Sequence, residues 1–574
     1  MKLLKIIGIL FIMLLNIRAL NSQILNNKVV NPIEYFKERE RAVQLVKNKQ
    51  WLKAVQLLEN LTSQYQNDGD LYYLLGTALF QTKAYSKSII AFKACLDKGG
   101  TVLKEILTGS SPSNDIMIKI SKAYALNKDK PNMLKWLKMA FESRYDEKPF
   151  LSSISAFKAY ENDDDFKKLI GTYKNEKFDR KAAWIEDINY FIKNIKQTHY
   201  KITGTTTIKL IDELADQMKS NIDQLTDQQI VAKLMKVLGY LGNGHNLIIP
   251  TTLKQNALKQ LPMQFYVFED GMFVVNAKKE YKEWIGHKVV SIEGTPVKEA
   301  LSRTNLVNAR DNDMQISWLG PYYLSLPDVL KELNLVKSSK EVTLLLKNRA
   351  GITKELKLKP RAWNFYDFPK LPELNEEVQP LYLSRQKDIY WHTSFAKQKV
   401  LYLQFNAVAN KKEESIKDYA ARVSLEIEKK AIEHLILDIR FNHGGNGSLL
   451  KPLIKMILNF EITHPKGKIF IIMGRETFSA AQNLLTEITK YTNAILVGEP
   501  SGSSPNHIGE ANWFKLPYSG LMGLVSSQFH QTSSAEDHRH WIAPHVPIAV
   551  KGKDYFEGKD KALKTILELI ATLK

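Results

Sequence analysis

Four short apolar runs that alternate with helix-like segments constrain the C-terminal third of this chain. The runs cover residues 399–405, 434–439, 469–473 and 494–498, and the helix-like segments between them cover residues 413–430, 448–458 and 483–490. A repeated strand-then-helix order is typical of parallel strands whose crossover helices cover the sheet. The pattern therefore predicts an α/β layer within residues 380–574.

Ser479 lies where one of these strands turns into a helix. It follows the apolar run 469–473 and precedes the helix-like segment 483–490. The amide groups at a helix start favour negative charge, and ligands bind at the carboxyl edge of a parallel sheet. Ser479 is therefore a candidate nucleophile. A serine at this place is equally consistent with an N-cap of the helix, and the stretch alone leaves both interpretations open.

A glycine pair follows another strand of the same predicted sheet. Gly444 and Gly445 lie within residues 438–447, after the apolar run 434–439. Adjacent glycines let backbone N–H groups point at an incoming group, which suits an oxyanion hole. The alternative is a plain glycine-rich turn. A phosphate-binding loop is excluded because no lysine follows the last glycine.

A single histidine stands in a tight turn ahead of this sheet. His245 follows Gly242 and Gly244, and the turn separates the mostly helix-forming residues 210–241 from an apolar strand at 247–249. A histidine in a rigid loop can act as a general base near neutral pH when a partner fixes its other ring nitrogen. A structural or merely exposed histidine is the alternative. Residues 181–260 are predicted to form a helical lead-in to the α/β layer.

The N-terminal part of the chain repeats with a period of 34 residues. This offset joins Ala42 to Gly76, Trp51 to Tyr85, Ala54 to Ser88 and Leu58 to Phe92. Small residues at fixed positions let paired helices approach, and large apolar residues fill the groove between them. Residues 33–180 resemble tetratricopeptide repeats, with a looser third copy at 116–145 and an extra loop or short helix at 99–112. The array is predicted to hold a protein partner or to act as a spacer, with Cys95 buried inside it.

A β-rich module separates the helical lead-in from the α/β layer. Residues 265–268 and 272–275 predict two strands joined by a tight turn, and residues 341–347 and 352–358 predict two more. The pattern Ile-Gly-x-x-Val-x-x-Ile-x-Gly-x-x-Val at 285–297 resembles a PDZ domain, so residues 261–362 are predicted to be a PDZ-like module. The resemblance implies capture of an extended chain end at a sheet edge. A structural insert is the alternative.

Three ordered motifs resemble the tail-specific, or C-terminal processing, serine protease family. They are Leu-Ile-Leu-Asp-Ile-Arg-x-Asn-x-Gly-Gly-Asn at 435–446, Thr-Phe-Ser-Ala-Ala-Gln at 477–482 and Val-Gly-Glu-Pro-Ser-Gly at 497–502. The resemblance covers residues 185–574 and implies a multidomain α/β protease with Ser479 as the nucleophile. It also implies that the backbone N–H groups of Ala480 and of Gly444 or Gly445 stabilise a tetrahedral oxyanion.

The sequence departs from one branch of this family at residue 504. Members with a Ser-Lys dyad carry the lysine 25 positions after the nucleophile, where this chain has Ser504. The branch that includes the tricorn protease core uses a histidine whose position matches His245, which is therefore predicted to be the general base. That branch has serine before the histidine, where this chain has Gly244. It also uses a late acidic residue, which implies that Asp537 or Glu536 orients His245.

The loop after the third motif contributes two further candidates. Ser504 and His507 are predicted to contact the substrate. Histidines at 530, 538, 540 and 545, with Asp537 nearby, offer an alternative as zinc ligands, since zinc accepts nitrogen and oxygen donors. The leading interpretation is a site without a metal or another cofactor.

Composition excludes some classes of function. The 81 basic and 61 acidic side chains give a net charge of +20, but the lysines are scattered and no basic stripe with interleaved aromatics is present. Nucleic-acid binding is therefore not predicted. Cys95 is the only cysteine, which excludes intrachain disulfides and a thiolate metal cluster. No segment after the first twenty residues is apolar for long enough to cross a bilayer.

The N-terminus has the pattern of a secretory signal peptide. Lys2 and Lys5 precede the apolar run 6–15, and Ser22 and Gln23 follow it. Residues 1–22 are therefore predicted to be removed, and the mature chain is predicted to be periplasmic, cell-surface or extracellular. An uncleaved anchor is the alternative.

These features together predict an exported serine endopeptidase that hydrolyses peptide bonds through an acyl-enzyme on Ser479. The alternative from another class is a non-catalytic protein that binds peptides through its repeats and PDZ-like module on an inactive protease scaffold. The predicted partners are a peptide or protein substrate and a protein held by the repeats.

Overall fold

A computed structural model describes residues 31–99, 113–202, 205–250, 258–362 and 371–572. The predicted signal peptide at 1–22 lies outside these residues, and so does most of the predicted loop at 99–112. The chain divides into two compact units, Met1–Ile170 and Gly171–Lys574. No helix within the described residues is long and apolar enough to cross a membrane.

The first unit is built from consecutive pairs of helices. They are α1 (Pro32–Lys47), α2 (Trp51–Gln64), α3 (Gly69–Gln81), α4 (Tyr85–Lys98), α5 (Ser113–Leu126), α6 (Lys130–Glu142) and α7 (Asp164–Ile170), with 3₁₀ turns at Lys148–Ser153 and Ser155–Tyr160. Small residues allow the pairs to approach. A Cβ at Gly76 would lie 2.7 Å from the Phe92 ring, and the Ser88 hydroxyl donates to the Gly76 carbonyl at 2.7 Å.

The third helix pair, α5 and α6, repeats this contact. The Ser121 hydroxyl donates to the Met133 carbonyl at 2.9 Å, and the two residues are 12 positions apart, as in the preceding pair. Cys95 is fully buried, as predicted, and burial raises the pKa of its thiol to about 12. The thiol is therefore unreactive at neutral pH. The assignment of the array to the tetratricopeptide class stays a prediction.

The second unit begins with the helical lead-in. It comprises α8 (Arg180–Thr198), α9 (Thr205–Ser220), α10 (Asp227–Leu241) and the short strand β1 (Leu247–Ile249). α10 begins with a capping box, in which Thr226 and Gln229 each accept a hydrogen bond from the backbone N–H of the other. The helix is followed by its C-cap residue Gly242, whose backbone φ is 68°, a value that residues with a side chain rarely adopt. This sharp end turns the chain into the loop that carries His245.

The β-rich module follows. Its elements are β2 (Lys259–Gln260), β3 (Met263–Phe268), β4 (Gly271–Ala277), β5 (Lys288–Ile292), β6 (Thr295–Pro296), α11 (Val297–Arg303), α12 (Met314–Leu324), α13 (Pro327–Glu332), β7 (Val342–Lys347), β8 (Thr353–Leu358) and β9 (Arg361–Ala362). β3, β4, β5, β7 and β8 form an antiparallel sheet in that order. The loop ahead of α12 carries residues 308–313, which reach the candidate site described below.

The rest of the second unit is an α/β layer. Its elements are β10 (Tyr390–Phe395), β11 (Val400–Phe405), α14 (Ile416–Lys429), β12 (His434–Asp438), α15 (Lys451–Thr463), β13 (Lys468–Met473), α16 (Ala480–Tyr491), β14 (Ile495–Gly498), β15 (Asn506–Lys515), β16 (Met522–Gln531), β17 (Val546–Pro547), α17 (Gly552–Phe556) and α18 (Lys561–Thr572). The sheet order is β10-β11-β12-β13-β14-β17, and all pairs except β10 with β11 are parallel. Helices α14 to α16 pack on one face and α18 on the other. The predicted multidomain α/β fold class is confirmed.

This layer brings the motif-bearing loops together. The parallel strands β12, β13 and β14 are neighbours, and they end at Asp438, Met473 and Gly498. The glycine-pair loop, the Ser479 turn and the third motif follow these ends directly, so they meet at one carboxyl edge. A second sheet of order β1-β16-β15 pairs the strand after His245 with the hairpin that carries His507.

Candidate active site

Ser479 lies in a strained turn between β13 and α16. Its backbone has φ 56° and ψ −126°, a conformation that costs a residue other than glycine about 1–3 kcal/mol. It occupies the N-cap position of α16, but its side chain makes no cap hydrogen bond, so the hydroxyl is not used for capping. The turn is held from outside, because the Phe478 N–H donates to the Asn442 carbonyl at 3.1 Å and the Thr477 hydroxyl donates to the Ile439 carbonyl at 3.0 Å.

His245 reaches Ser479 from the loop ahead of β1. Its Nε2 lies 2.9 Å from Ser479 Oγ, although the two residues are 234 positions apart. The imidazole stacks on the Phe478 ring at 4.4 Å between centroids and on the His507 ring at 5.7 Å. These two contacts fix the plane of the imidazole, and the structure thus brings the predicted nucleophile and base together.

The surroundings of His245 favour its neutral form. Burial holds the pKa of the imidazole well below its ordinary 6.5, and the imidazoles of His507 and His530 lower it further. The backbone of Ile508, which lies beside the ring, acts in the opposite direction. The ring is therefore neutral near pH 7, which leaves Nε2 able to accept a proton from Ser479. Its Nδ1 is buried and forms no hydrogen bond of normal geometry with any described residue.

The acidic partner predicted for His245 is wrong. The Asp537 carboxylate binds the Arg539 guanidinium at 2.7 and 2.9 Å, and this hydrogen bonding holds the pKa of Asp537 well below its ordinary range. Glu536 is exposed. Both residues lie in a local turn closed by the Asp537 N–H on the Ser534 carbonyl. The Asp537 carboxylate is therefore paired with Arg539, two residues away, and is not available to His245.

The glycine pair approaches the nucleophile as predicted, but only one of its N–H groups is available. A Cβ at Gly444 would lie 2.7 Å from both Ser479 Cβ and Ala480 N, so only glycine allows this approach. The Gly444 N–H donates to Asn442 Oδ1 at 2.9 Å, so Gly444 is wrong as an oxyanion donor. The N–H groups of Gly445 and Ala480 have no acceptor among the described residues and remain the two candidates.

Ser504 and His507, the two residues predicted to contact substrate, form hydrogen bonds within the chain. The Ser504 hydroxyl donates to the His540 carbonyl at 3.0 Å. His507 is only 4% exposed, and its Nδ1 lies 3.2 Å from the Ser504 carbonyl. Burial first, and then His530, lower the pKa of His507 to about 4. His507 therefore supports the base as a neutral stacked ring, and substrate contact by Ser504 and His507 stays a prediction.

Two residues that no motif marks, Asp311 and Ser503, adjoin the predicted pair. Asp311 belongs to the loop ahead of α12, and its carboxylate accepts from the Gly244 N–H and from the Ser503 hydroxyl, both at 2.7 Å. The Ser503 oxygen in turn accepts from the Ser479 N–H at 3.5 Å. Burial raises the pKa of Asp311 to about 6, although both hydrogen bonds oppose the rise. The β-rich module therefore contributes a side chain to the site.

Asp311 should make the free energy of unfolding depend on pH. Its pKa is about 6 in the folded chain against an ordinary 3.8, so the stabilisation present below pH 4 is lost as the pH rises through 6. One pKa unit corresponds to about 1.36 kcal/mol, so wild type should lose about 2–3 kcal/mol relative to Asp311→Asn between pH 4 and pH 7.5. Urea titrations of both proteins at the two pH values measure this loss. An unchanged difference between the proteins would contradict a raised pKa.

Gly244 has no room for a side chain. A Cβ there would lie 2.5 Å from Gln315 Nε2 and 2.8 Å from the Phe478 ring, and Gln315 is held by the Asp311 N–H at 2.6 Å. Gly244→Ala should therefore destabilise the fold by roughly 1–3 kcal/mol through overpacking. Combination with Gln315→Ala should recover part of this loss. Urea unfolding of the four proteins measures the coupling, and strictly additive effects would contradict the contact.

The late histidines are not gathered around a metal position. His545 Nδ1 accepts from the Leu496 N–H at 3.0 Å, and His530 faces Glu510 at 3.7 Å. In the part of the chain that the structure describes, no group of three or more histidine, cysteine or acidic side chains is arranged to hold a metal ion. The zinc alternative is therefore wrong for these residues.

Arg475 ties the nucleophile turn to the β-rich module. Its guanidinium pairs with the Glu499 carboxylate at 2.5 Å and donates to the carbonyls of Val267 and Ser317 at 2.8 and 3.3 Å. Val267 lies in β3 and Ser317 in α12. The turn before Ser479, the third motif and the module are thus joined through one buried side chain.

Comparison with known proteins gives a likeness of fold. No protein-family model matches the sequence, and no curated protein matches it. A solved structure of mature CPAF complexed with lactacystin is 13% identical, covers 68% of this chain and 99% of that chain, and has a TM-score of 0.50. The matched part of the chain shares the fold of mature CPAF.

Other solved structures match less closely in shape. A second structure of mature CPAF is 13% identical and has a TM-score of 0.49 over 68% of this chain and 98% of that chain. The tricorn protease is 14% identical and has a TM-score of 0.32, over 68% of this chain and 37% of that chain. The match to the lactacystin complex of mature CPAF is the one with a TM-score of 0.50, and it extends over nearly all of that chain.

Proposed function

We propose that this chain is a serine endopeptidase of the tail-specific type, which hydrolyses peptide bonds through an acyl-enzyme on Ser479. The observation that carries the proposal is the 2.9 Å contact between Ser479 Oγ and His245 Nε2, made at a turn whose strained backbone leaves the hydroxyl free of the helix. The three sequence motifs and the fold shared with mature CPAF support it.

The first half-reaction forms the acyl-enzyme. Ser479 Oγ attacks the carbonyl carbon of the scissile bond while His245 Nε2 takes the hydroxyl proton. The carbonyl π electrons move to the oxygen, and the N–H groups of Gly445 and Ala480 stabilise the resulting oxyanion. Protonated His245 then gives its proton to the departing amine, the C–N bond breaks, and an ester remains on Ser479.

The second half-reaction restores the enzyme. Water attacks the ester carbonyl while Nε2 of His245 takes one of its protons, and the same two N–H groups hold the second oxyanion. The C–O bond to Ser479 breaks as Oγ recovers the proton from His245, which releases the carboxylic acid product. The cycle balances with water as its only co-reactant.

In this scheme His245 works without a carboxylate on Nδ1. The acid of a serine hydrolase triad orients the imidazole and stabilises the imidazolium. Stacking on Phe478 and His507 supplies the orientation here, and the backbone of Ile508 favours the protonated ring. The site is therefore proposed to be a dyad whose base is aligned by packing.

A fluorophosphonate probe tests the proposal, because it reacts with an activated serine and not with an idle one. It should label the wild-type chain at one site at pH 7.5, and peptide mapping by mass spectrometry should find the adduct on Ser479. A chain that binds peptides but stays unlabelled would instead be a non-catalytic peptide-binding protein.

We also propose that the chain is exported and that its repeats hold a protein partner. The basic and apolar N-terminal sequence supports export, and N-terminal sequencing of the mature chain should begin near Gln23. A mature chain that begins at Met1 would contradict removal of a signal peptide.

The paired helices of the first unit support a partner, whose co-purification should be lost from a chain that lacks residues 31–170.

A further inference from the structure

We propose that Asp311 is a positioning residue of this site. Its carboxylate joins the loop that carries His245 to the turn that carries Ser479, through a hydrogen bond to Ser503. The inference rests on the proposed function, because alignment of His245 and Ser479 matters only if the two react. Asp311 is 66 positions after His245 and 168 before Ser479 in the sequence, and no motif of the protease core includes it.

The two carboxylate oxygens of Asp311 accept hydrogen bonds from the two segments that carry His245 and contact Ser479. Oδ1 accepts from the N–H of Gly244, the residue directly before the base. Oδ2 accepts from the Ser503 hydroxyl, whose oxygen accepts from the N–H of Ser479 itself. An unbroken chain of hydrogen bonds therefore runs from the backbone of one catalytic residue to the backbone beside the other.

The loop that carries Asp311 is itself held on both sides. The Asp311 N–H donates to Gln315 Oε1 at 2.6 Å. The neighbouring Asn312 amide donates to the Ser501 carbonyl at 3.1 Å and to the His540 carbonyl at 2.7 Å. The carboxylate is thus a fixed point against which both catalytic segments are aligned, and it is supplied by the β-rich module.

The charge of Asp311 is hard to explain by stability alone. Burial of a carboxylate without a cation beside it is costly, and no cationic side chain of the described residues contributes to its pKa. Arg310, its neighbour in sequence, pairs with Asp313 instead, at 3.3 Å. A carboxylate, however, accepts two hydrogen bonds and needs no acceptor in return. The Gly244 N–H and the Ser503 hydroxyl each face a different oxygen of this carboxylate. In asparagine an NH₂ donor replaces one of these oxygens, so one of the two donors loses its acceptor.

The test compares reactivity with stability in the full-length chain. Asp311→Asn should lower the rate of Ser479 labelling by a fluorophosphonate by roughly 10²-fold, the usual effect of a small misalignment, while its urea midpoint at pH 7.5 stays at or above that of wild type. Ser503→Ala, which interrupts the same chain of hydrogen bonds, should lower the labelling rate by roughly 10-fold. Asp313→Asn is the matched control, since that carboxylate is 74% exposed, and it should label at the wild-type rate.

Two results would overturn the inference while the proposed function survives. One is a labelled wild type whose Asp311→Asn and Ser503→Ala variants react at the wild-type rate. The other is an Asp311→Asn variant that loses reactivity only together with its urea midpoint, while Ser503→Ala reacts normally, because Asp311 would then be purely structural. A wild-type chain that is not labelled at all refutes the proposed function, and this inference with it.

Discussion

Ser479→Ala is expected to abolish fluorophosphonate labelling and to lower the hydrolysis of fluorescein-labelled casein by at least roughly 10⁴-fold. The variant removes the only atom of the enzyme that bonds to the substrate carbon in the proposed scheme. Its fold should survive, because the hydroxyl makes no cap bond to α16 and its contact within the described residues is to His245. Labelling yield and the casein cleavage rate measure the two losses.

Ser384→Ala is a suitable control for this variant. Its exposed hydroxyl lies in the same unit and, among the described residues, bonds only a local carbonyl, that of Leu381. The control should label and cleave at the wild-type rate. If Ser479→Ala still hydrolysed casein at the wild-type rate, the acyl-enzyme scheme would be excluded.

His245→Gln is expected to lower the labelling rate by roughly 10⁴-fold, with an unfolding midpoint near that of wild type. Glutamine has a similar reach and can hydrogen-bond to Ser479 Oγ, but it cannot take up a proton at pH 7.5. Single-turnover labelling measures this step without knowledge of the natural substrate. The exposed His538 provides the control His538→Gln, which should react normally. Unchanged labelling of His245→Gln would return the role of base to another side chain.

The pH dependence of the wild-type reaction gives a second check on His245. Its pKa lies well below 6.5 because of burial and of the two neighbouring imidazoles, so the neutral base persists as the pH falls from 8 to 6.5. The labelling rate of Asp311→Asn, in which residue 311 no longer titrates near pH 6, should therefore show no midpoint at the ordinary histidine pKa, and a midpoint seen only in wild type belongs to Asp311. A decline centred on pH 6.5 in this variant would mean that the imidazole titrates as if it were exposed.

Ser479 and His245 could be predicted from the sequence because local patterns mark both residues. An apolar run followed by a helix places Ser479 at a sheet edge, and two glycines place His245 in a rigid turn. The strand-and-helix alternation likewise predicts the α/β layer, because each crossover needs a helix. The alternation does not give the distance between the two residues, and the resemblance to a known family supplied that step.

The rest of the site could not be read from the sequence because it depends on contacts between distant segments. Asp311 lies in residues 308–313, a polar run typical of a solvated loop, and only the folded chain turns it against Gly244 and Ser503. The prediction that Asp537 orients His245 was wrong for the opposite reason, because a local contact decides the matter. Its position suited a triad acid, but Arg539 is two residues away and binds the carboxylate locally, which no spacing rule for distant partners could reveal.

The residues of the site are far apart in the sequence, and this separation determines the stage of folding at which the site can form. The loop that carries His245, the loop that carries Asp311, the glycine pair and the turn that carries Ser479 come from four stretches between residues 244 and 479. A complete module lies between the first stretch and the last two. Contacts of such long sequence separation form slowly, because closing the intervening loops costs entropy before the contacts stabilise the chain. A partly folded chain holds an idle serine and an unaligned histidine, so cleavage begins only once the second unit is complete. Assembly of the second unit is therefore the step that switches on the proposed chemistry.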